Sequence, residues 1–225
     1  MNIQCFCVYG SNARGDADAS SDVDCFGIHD EAKYRTVTHG NFNMVLYPLP
    51  LAKKIMLEGN LFALHLKQEA IPLSNQDLFH EITSLFKYKE NYSYEIQSAS
   101  MLLDFILKNE HKIFNKPLLN QRLSWCIRTI LISKSAEERN PVFSKEKIAA
   151  KYNTTEIPKE DIINLINLKR RDVIKNDEIK ILHKFQEKFS SKIQKNLRNK
   201  FVERTMFKLI NGTGISSYSE NMHED

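Results

Sequence analysis

Residues 10–24 read Gly-Ser-Asn-Ala-Arg-Gly-Asp-Ala-Asp-Ala-Ser-Ser-Asp-Val-Asp, and they lie between two short apolar runs, residues 3–9 and 25–28. Apolar runs of this length, bounded by glycine, serine and aspartate, are typical of β-strands. Successive side chains of a strand alternate between its two faces, so Asp22 and Asp24 are expected to project from the same face. The segment therefore predicts a glycine-serine turn and an acidic pair at the ends of two strands.

The acidic pair, Asp22 and Asp24, indicates a cation site. Two carboxylates held side by side repel each other unless a cation lies between them. Mg²⁺ takes oxygen ligands and commonly binds one or two protein carboxylates, while substrate phosphates and water fill the remaining positions. We therefore expect Asp22 and Asp24 to bind one or two Mg²⁺ ions in a site for phosphoryl or nucleotidyl transfer.

The glycine-serine turn has the residue types of a phosphate-binding turn. Gly10 has no side chain, so its backbone can approach a phosphate closely, and Ser11 adds a hydroxyl group. Backbone N–H groups of a following helical turn can point at the anion, and Arg14 supplies a cation one turn later. A Gly-Ser dipeptide alone is only a turn signal; next to Ser21-Asp22-Val23-Asp24 it predicts a nucleotide-binding site.

Composition places the chain among ordinary globular proteins. Its 225 residues are 42% hydrophobic, and the formal net charge of +4 does not by itself argue for nucleic-acid binding. The four cysteines lack Cys-x-x-Cys spacing, so buried free thiols of a reducing compartment are expected. No secretory-signal pattern and no apolar run of membrane-spanning length is present, and we expect a soluble cytoplasmic protein without a membrane partner.

The character of the chain changes near residue 75. Before it, three strands are expected, over residues 3–9, 22–28 and 43–47. Residues 51–67 read as a helix interrupted near Gly59, and residues 71–73 as a brief return to the sheet. After it, apolar residues recur at helical spacing, and the last and longest helix is expected from Ile181 to Leu209. We expect one domain over residues 1–75, a helical bundle over 76–211 and a disordered tail over 212–225.

The segments Gly10-Ser11-Asn12-Ala13-Arg14-Gly15-Asp16 and Ser21-Asp22-Val23-Asp24 together resemble the signature of the DNA polymerase β-like nucleotidyltransferase superfamily. The likeness is closest to the minimal nucleotidyltransferases that occur with HEPN-type helical proteins, and to aminoglycoside nucleotidyltransferases. It implies an α/β (α+β) nucleotidyltransferase fold with a short mixed sheet, followed by an all-α helical bundle.

The later helical region is similar to the HEPN-like helical domains that are fused to such enzymes. The likeness covers residues 118–147, with Arg128 and the segment Arg139-Asn140-Pro141-Val142-Phe143-Ser144. The HEPN ribonuclease pattern, an arginine followed four to six residues later by a histidine, is absent there. Ribonuclease activity is therefore not predicted.

The resemblance implies a metal-dependent transfer of a nucleoside monophosphate from a nucleoside triphosphate, such as ATP, to an acceptor hydroxyl. Asp22 and Asp24 would be the catalytic metal ligands. The triphosphate would be bound by Gly10, Ser11, Arg14 and Ser21. The favoured acceptor is a side chain of a partner protein, as in nucleotidylation by antitoxins of toxin–antitoxin pairs, with a small molecule or an RNA end as alternatives.

One residue departs from the superfamily pattern. A third carboxylate is usually supplied by the next strand, and the corresponding position here is Asn43. An amide oxygen can ligate a metal, but it carries no charge and cannot act as a base. The alternatives are weak catalysis, one-metal chemistry, a replacement acid such as Glu69, or an inactive domain that serves as a partner-binding module.

Three further polar residues are candidates for contacting the residues that bind the metal and the nucleotide. Asp16 lies in the turn, and a solvated turn carboxylate is the favoured interpretation, with a salt bridge that positions Arg14 as the alternative. His65 and Glu69 are four residues apart and share a helix face if residues 61–69 are helical. They could assist the acceptor, or they could be ordinary polar residues at a domain junction.

Lysines recur at near-helical spacing towards the end of the chain, at Lys180, Lys184, Lys188, Lys192 and Lys195. The stripe could bind RNA or an acidic partner protein. Interspersed acids, among them Glu178 and Glu187, favour a solvated helix face instead. RNA binding by this helix and assembly into an oligomer are both compatible with the sequence.

Overall fold

A computed structural model describes residues 1–19, 21–191, 206–207 and 210–211. Internal contacts divide the chain into two compact units, Met1–Asn91 and a second unit that begins at Tyr92. Each unit is described by itself. The tail expected over residues 212–225, as well as Lys192 and Lys195, lies outside the described residues.

A five-stranded mixed sheet forms the centre of the first unit. Its spatial order is β3-β4-β2-β1-β5; β2 and β4 are parallel, and the other neighbours are antiparallel. The predicted α+β fold with a short mixed sheet is confirmed. The strands are β1 Ile3–Tyr9, β2 Val23–His29, β3 Arg35–His39, β4 Phe42–Pro48 and β5 Ile71–Ser74.

The sequence prediction missed the edge strand β3. All five of its residues are exposed, so the apolar alternation that marks a half-buried strand is weak in Arg-Thr-Val-Thr-His. The two-residue turn Gly40-Asn41 joins β3 to β4, and Gly40 has a φ of 60°. Glycine followed by asparagine between two short strand-like segments is a hairpin signal, and it could have revealed this strand.

Four helices complete the first unit, and the predicted interruption at Gly59 is confirmed. Gly59 has a φ of 65° and ends the first of the two expected helical pieces, while Asn60 begins the second by accepting a hydrogen bond from the Phe62 N–H at 2.8 Å. The helices are α1 Ser11–Arg14, α2 Leu49–Leu57, α3 Leu61–Glu69 and α4 Gln76–Ser84. Lys53 of α2 pairs with Glu81 of α4, which places α4 with this unit.

One face of the sheet carries the candidate site and is covered by α3. Residues paired across strands share a face, and the register aligns Tyr9, Asp24 and Asn43 on one row. The Phe62 ring of α3 packs against aromatic rings of this same face, at centroid distances of 5.5 Å to Tyr9 and 5.9 Å to Phe26. We call this face the α3 face.

We expect Gly59→Ala to destabilise the protein by roughly 3 kcal/mol, because a methyl group there combines left-handed strain with a clash. An added Cβ would collide with the Lys87 carbonyl oxygen and lie 2.7 Å from the Lys89 amide nitrogen. Urea unfolding measures the change. The matched control is Gly40→Ala, with a similar φ of 60° and nothing within 4 Å, which should cost about 1 kcal/mol. Equal losses in the two variants would contradict the clash.

The second unit is helical throughout its described secondary structure, as predicted. Helical spacing in the sequence corresponds to buried stripes, for example Leu119, Leu123, Cys126 and Ile130 of α6. Short 3₁₀-helices follow α5 at Glu110–Lys112 and α8 at Asn167–Arg170. The α-helices are α5 Ser93–Asn109, α6 Lys116–Glu137, α7 Lys145–Tyr152, α8 Lys159–Ile166 and α9 Asn176–Phe189.

The prediction of a single last helix from Ile181 to Leu209 is wrong. Helix α9 ends at Phe189, and Ser190 is extended with a ψ of 151°. The following residue, Ser191, donates its N–H to the Ser100 hydroxyl at 3.0 Å. Serine has a low helix propensity. The Ser191 N–H is bonded by a residue distant in the sequence instead of by a carbonyl oxygen of the preceding helical turn.

The four cysteines agree with the expectation of buried free thiols. Cys5, Cys7, Cys25 and Cys126 are free and buried, and burial raises the pKa of the Cys126 thiol. Thiols of this kind are unreactive core residues rather than nucleophiles. Among the described residues, no helix combines the length and the apolar character that crossing a bilayer requires.

Candidate functional site

The acidic pair lies at the beginning of β2, and its member Asp24 belongs to the α3 face. Asp22 directly precedes the strand and Asp24 is its second residue, and both are half-buried. Asp24 is aligned with Tyr9 of β1 on one side and with Asn43 of β4 on the other. The parallel pairing of β2 with β4 therefore brings the sequence-predicted metal ligands Asp24 and Asn43 together.

The turn after β1 comes within contact distance of this pair. Gly10 has a φ of 74° and a ψ of −147°, a conformation that essentially only glycine adopts. A Cβ added there would lie 3.3 Å from Asp24 Oδ2. The missing side chain thus lets the Gly10 backbone lie against the Asp24 carboxylate. The close approach of a phosphate to Gly10 stays a prediction.

Asn12 fastens the turn to the strand that carries the acids. Its Nδ2 donates to the Asp22 carbonyl oxygen at 2.7 Å, and the Arg14 N–H closes the turn on the Gly10 carbonyl oxygen at 3.0 Å. Sequence reasoning did not single out Asn12. Its place inside the motif was the only signal, and that place indicates proximity without identifying a partner.

Asn43 is the residue next to Asp24 on the neighbouring strand. Its Nδ2 lies 3.5 Å from Asp24 Oδ1, the outer limit for a hydrogen bond. The position expected to hold a third acid therefore presents an amide that faces the Asp24 carboxylate. Whether the Asn43 oxygen ligates a metal stays a prediction.

Ser21 takes part in the loop before β2. The Asp18 N–H donates to Ser21 Oγ at 2.9 Å, and Ser21 Oγ lies 3.2 Å from Asp18 Oδ1. The Ser21 N–H also donates to the Asp18 carbonyl oxygen at 2.9 Å. These bonds shape the loop that delivers Asp22 to β2, and the expected nucleotide contact of Ser21 stays a prediction.

Arg14, the predicted phosphate ligand, is held between two acids. Its Nε pairs with Asp16 at 3.0 Å, which is the salt bridge given as the alternative to a solvated carboxylate, and its Nη1 pairs with Glu69 of α3. Glu69 Oε2 also lies 2.6 Å from His65 Nε2. The four polar residues that the sequence placed around the site, Arg14, Asp16, His65 and Glu69, therefore form one connected cluster.

The charge of Asp24 affects its neighbours. Burial is the main cause that raises the pKa of the Tyr9 hydroxyl, and the negative charge of Asp24 raises it further. Burial and the Asp24 charge likewise raise the pKa of the Cys25 thiol. A negative charge in a half-buried site favours a bound cation, because the low polarity of the surroundings strengthens the attraction.

The donor set fits a magnesium ion that takes most of its ligands from substrate. Among the described residues, no group of three or more histidine, cysteine, aspartate or glutamate side chains is arranged to hold a metal. The candidate donors are the carboxylates of Asp22 and Asp24 and the amide of Asn43. Mg²⁺ commonly binds one or two carboxylates together with phosphate oxygens and water, which is compatible with this set.

The lysine stripe is exposed in α9 but partly neutralised. Lys180 pairs with Asp177 at 3.0 Å, and Lys188 lies 3.9 Å from Glu156. Lys184 is exposed as well. Surface pairs of this kind contribute little to stability, and they reduce the positive charge offered to a nucleic acid.

The mixed sheet, the glycine turn and the acidic pair beside it define the class of protein as a nucleotidyltransferase-type α+β protein. Residues 4–122 match the family model described as "Nucleotidyltransferase domain", which is more than half of the 225 residues. The chain belongs to this nucleotidyltransferase domain family of the DNA polymerase β-like superfamily. No curated protein matches the chain.

Proposed function

We propose that this protein is a Mg²⁺-dependent nucleotidyltransferase that moves a nucleoside monophosphate from a nucleoside triphosphate to an acceptor hydroxyl. The observation that carries the proposal is the Asp24 carboxylate beside the bare backbone of Gly10, within a chain of the nucleotidyltransferase domain family. In that arrangement a metal-binding acid and a phosphate-binding turn share one site.

Each residue has a distinct part in the proposed reaction. Asp22 and Asp24 hold the metal, while the turn from Gly10 and Ser11 to Arg14 binds the triphosphate. Bound Mg²⁺ neutralises charge on the phosphates and on the leaving group. The acceptor oxygen forms a bond to the α-phosphorus, the bond from that phosphorus to the β-phosphate oxygen breaks, and pyrophosphate leaves with the electron pair. Because Asn43 cannot take the hydroxyl proton, another group or water must accept it.

The acceptor that we favour is a hydroxyl side chain of a partner protein. This choice rests on the resemblance of residues 10–24 to the antitoxin-type minimal nucleotidyltransferases, whose targets are toxin-like partners, and on the HEPN-like character proposed for the helical unit. ATP would then be the nucleotide donor and the product an AMPylated protein in the cytoplasm. A small-molecule hydroxyl and an RNA end are the remaining acceptors within the same chemistry.

A nucleotide-dependent transfer assay tests the proposal. The purified full chain is incubated with Mg²⁺, each α-labelled nucleoside triphosphate in turn, and either a co-expressed partner protein, an aminoglycoside or a short RNA. We expect release of pyrophosphate and transfer of label to one acceptor, abolished by a chelator. Calorimetry with Mg²⁺ and a non-hydrolysable triphosphate runs in parallel. Absence of both transfer and binding would overturn the proposal.

The second candidate function is a degenerate fold that binds a partner without catalysis. The observation that favours it is Asn43, which places an amide beside Asp24 where the superfamily usually has a third acid. This candidate predicts partner binding that survives substitution of Asp22 and Asp24. The enzyme predicts that the same substitutions abolish turnover.

We expect Asn43→Asp to strengthen metal binding about tenfold and to raise turnover, since a third carboxylate would face the cation. Without metal, the added charge beside Asp24 should lower the melting temperature, and Mg²⁺ should restore it. Calorimetry and thermal unfolding with and without Mg²⁺ measure these effects. Asn41→Asp adds the same charge in the exposed turn two residues earlier and serves as the control. An unchanged metal affinity in Asn43→Asp argues against a metal at this position.

A further inference from the structure

Helix α3 contacts both ends of the turn that would bind the phosphates. At the start of the turn, the His65 ring lies edge-to-face on the ring of Tyr9, the residue before Gly10, at a centroid distance of 5.3 Å. At the end of the turn, Glu69 accepts a hydrogen bond from Arg14, the last residue of α1. One helix thus touches Tyr9, the residue before the turn, and Arg14, the last residue of the turn that would bind the phosphates.

The two contacts of α3 are joined to each other. His65 and Glu69 are one helical turn apart, and Glu69 Oε2 lies 2.6 Å from His65 Nε2. Only 11% of the Glu69 side chain is exposed, so its carboxylate is not a solvated surface group. We call Tyr9, Arg14, His65 and Glu69 the turn bracket.

Arg14 is oriented by Asp16 and by Glu69, and it keeps further N–H donors. Asp16 accepts from Nε, and Glu69 accepts from Nη1. A guanidinium group has five N–H donors, and in the described part of the chain no partner is found for Nη2. The guanidinium plane is therefore fixed from two sides and still presents an edge to an anion.

The Arg14 guanidinium stays charged between its two acids. Partial burial alone would lower the pKa of Arg14, but the hydrogen bond to Asp16 and the charge of Glu69 outweigh it, and the pKa is raised. Of the two acids, Glu69 is the more buried, since 11% of its side chain is exposed against 33% for Asp16. Glu69 is therefore the acid that can hold Arg14 away from solvent.

We propose that Glu69 and His65 are positioning residues that hold the phosphate-binding turn and aim Arg14 at the polyphosphate of the nucleotide. The role rests on the proposed nucleotidyltransferase function. Its physical basis is preorganisation: an arginine already held in its binding orientation loses less conformational freedom when it meets a phosphate. The ligand class is the triphosphate moiety, independent of the base.

The direction in which polyphosphate affinity changes in Glu69→Gln distinguishes a positioning role from a simple charge effect. Glu69→Gln removes a negative charge near the turn, which on electrostatic grounds alone would tighten the binding of a polyanion. Loss of positioning has the opposite effect. We expect the affinity for inorganic tripolyphosphate, and for Mg²⁺ with a non-hydrolysable nucleoside triphosphate, to fall about tenfold in Glu69→Gln.

The experiment is calorimetry on the full chain with these two probes, for the original protein and for Glu69→Gln, Arg14→Gln and the double variant. If Glu69 acts through Arg14, its substitution should have little further effect once Arg14 is replaced. Glu81→Gln breaks the exposed Lys53–Glu81 pair of the same unit and should leave affinity unchanged. In steady-state kinetics, KM for the nucleotide should rise in Glu69→Gln while kcat stays within about twofold.

The outcomes that contradict the inference differ from those that contradict the function. If the original protein binds the nucleotide but Glu69→Gln binds as tightly or more tightly, the positioning role is overturned and the function stands. Additive losses in the double variant also overturn it. If the original protein binds neither probe, the proposed function fails and the inference fails with it. Thermal unfolding of each variant verifies that the protein is folded, and His65→Gln provides a second test of the same bracket.

Discussion

Asp24→Asn is expected to lower the rate of nucleotidyl transfer roughly a thousand-fold or more, equivalent to about 4 kcal/mol of transition-state stabilisation. Asparagine keeps the size of the side chain but removes the charge that would hold the metal. The effect should appear in pyrophosphate release with saturating nucleotide. Asp22→Asn should show a loss of the same kind, because both carboxylates would serve one cation site.

The fold should survive this substitution. Asp24 is half-buried, so removing its charge removes the cost of holding a carboxylate partly out of water in the metal-free protein. We expect an unchanged or slightly higher melting temperature without Mg²⁺. Asp77→Asn, at an exposed position in the first turn of α4, is the matched control and should keep full activity. Activity retained in both Asp22→Asn and Asp24→Asn would remove these residues from the catalytic site.

Gly10→Ala is expected to reduce activity about a hundred-fold, because small displacements of catalytic groups have effects of that size. The new Cβ would lie 3.3 Å from Asp24 Oδ2 and would push the carboxylate or the turn out of place. The backbone conformation of Gly10 also disfavours any other residue, so stability should fall by about 2 kcal/mol. Steady-state kinetics and urea unfolding measure the two effects separately.

Gly15→Ala is the matched control for the turn. Gly15 has a φ of 75°, close to that of Gly10, but a Cβ added there would meet nothing within 4 Å. The Gly15→Ala variant should therefore lose about 1 kcal/mol of unfolding free energy with little loss of activity. A parallel loss of activity in both glycine variants would mean that backbone strain, rather than the approach to Asp24, explains the result.

Local signals were sufficient for most of the elements. Apolar runs bounded by turn residues located β1, β2 and β4, and Gly59 located the break between α2 and α3. These signals work because the conformational preferences of glycine and of strand-forming residues act over a few residues. They failed for β3, whose residues are all exposed, and for the end of α9, where Ser191 binds Ser100 of α5.

The acidic pair and the glycine turn were readable because strand alternation is a local rule. Asp22 and Asp24 could be assigned to one face, and Gly10 to a close approach, without knowledge of any other strand. The partner of each group was not readable in the same way. Arg14 and Glu69 are 55 positions apart, and no pattern in the chain indicates that they form an ion pair.

The order of residues was thus enough to predict the acidic pair, the glycine turn, most of the strands and the helical second part, because each depends on interactions between near neighbours. The mixed sheet was implied only by the family resemblance. The packing of α3 and the pairing of β2 with β4 decided the rest. They placed Asn43 against Asp24 and joined Arg14, Glu69 and His65 into the turn bracket. Contacts of this kind arise only when distant segments are buried together, since the surrounding core, and not the local chain, determines which side chains meet.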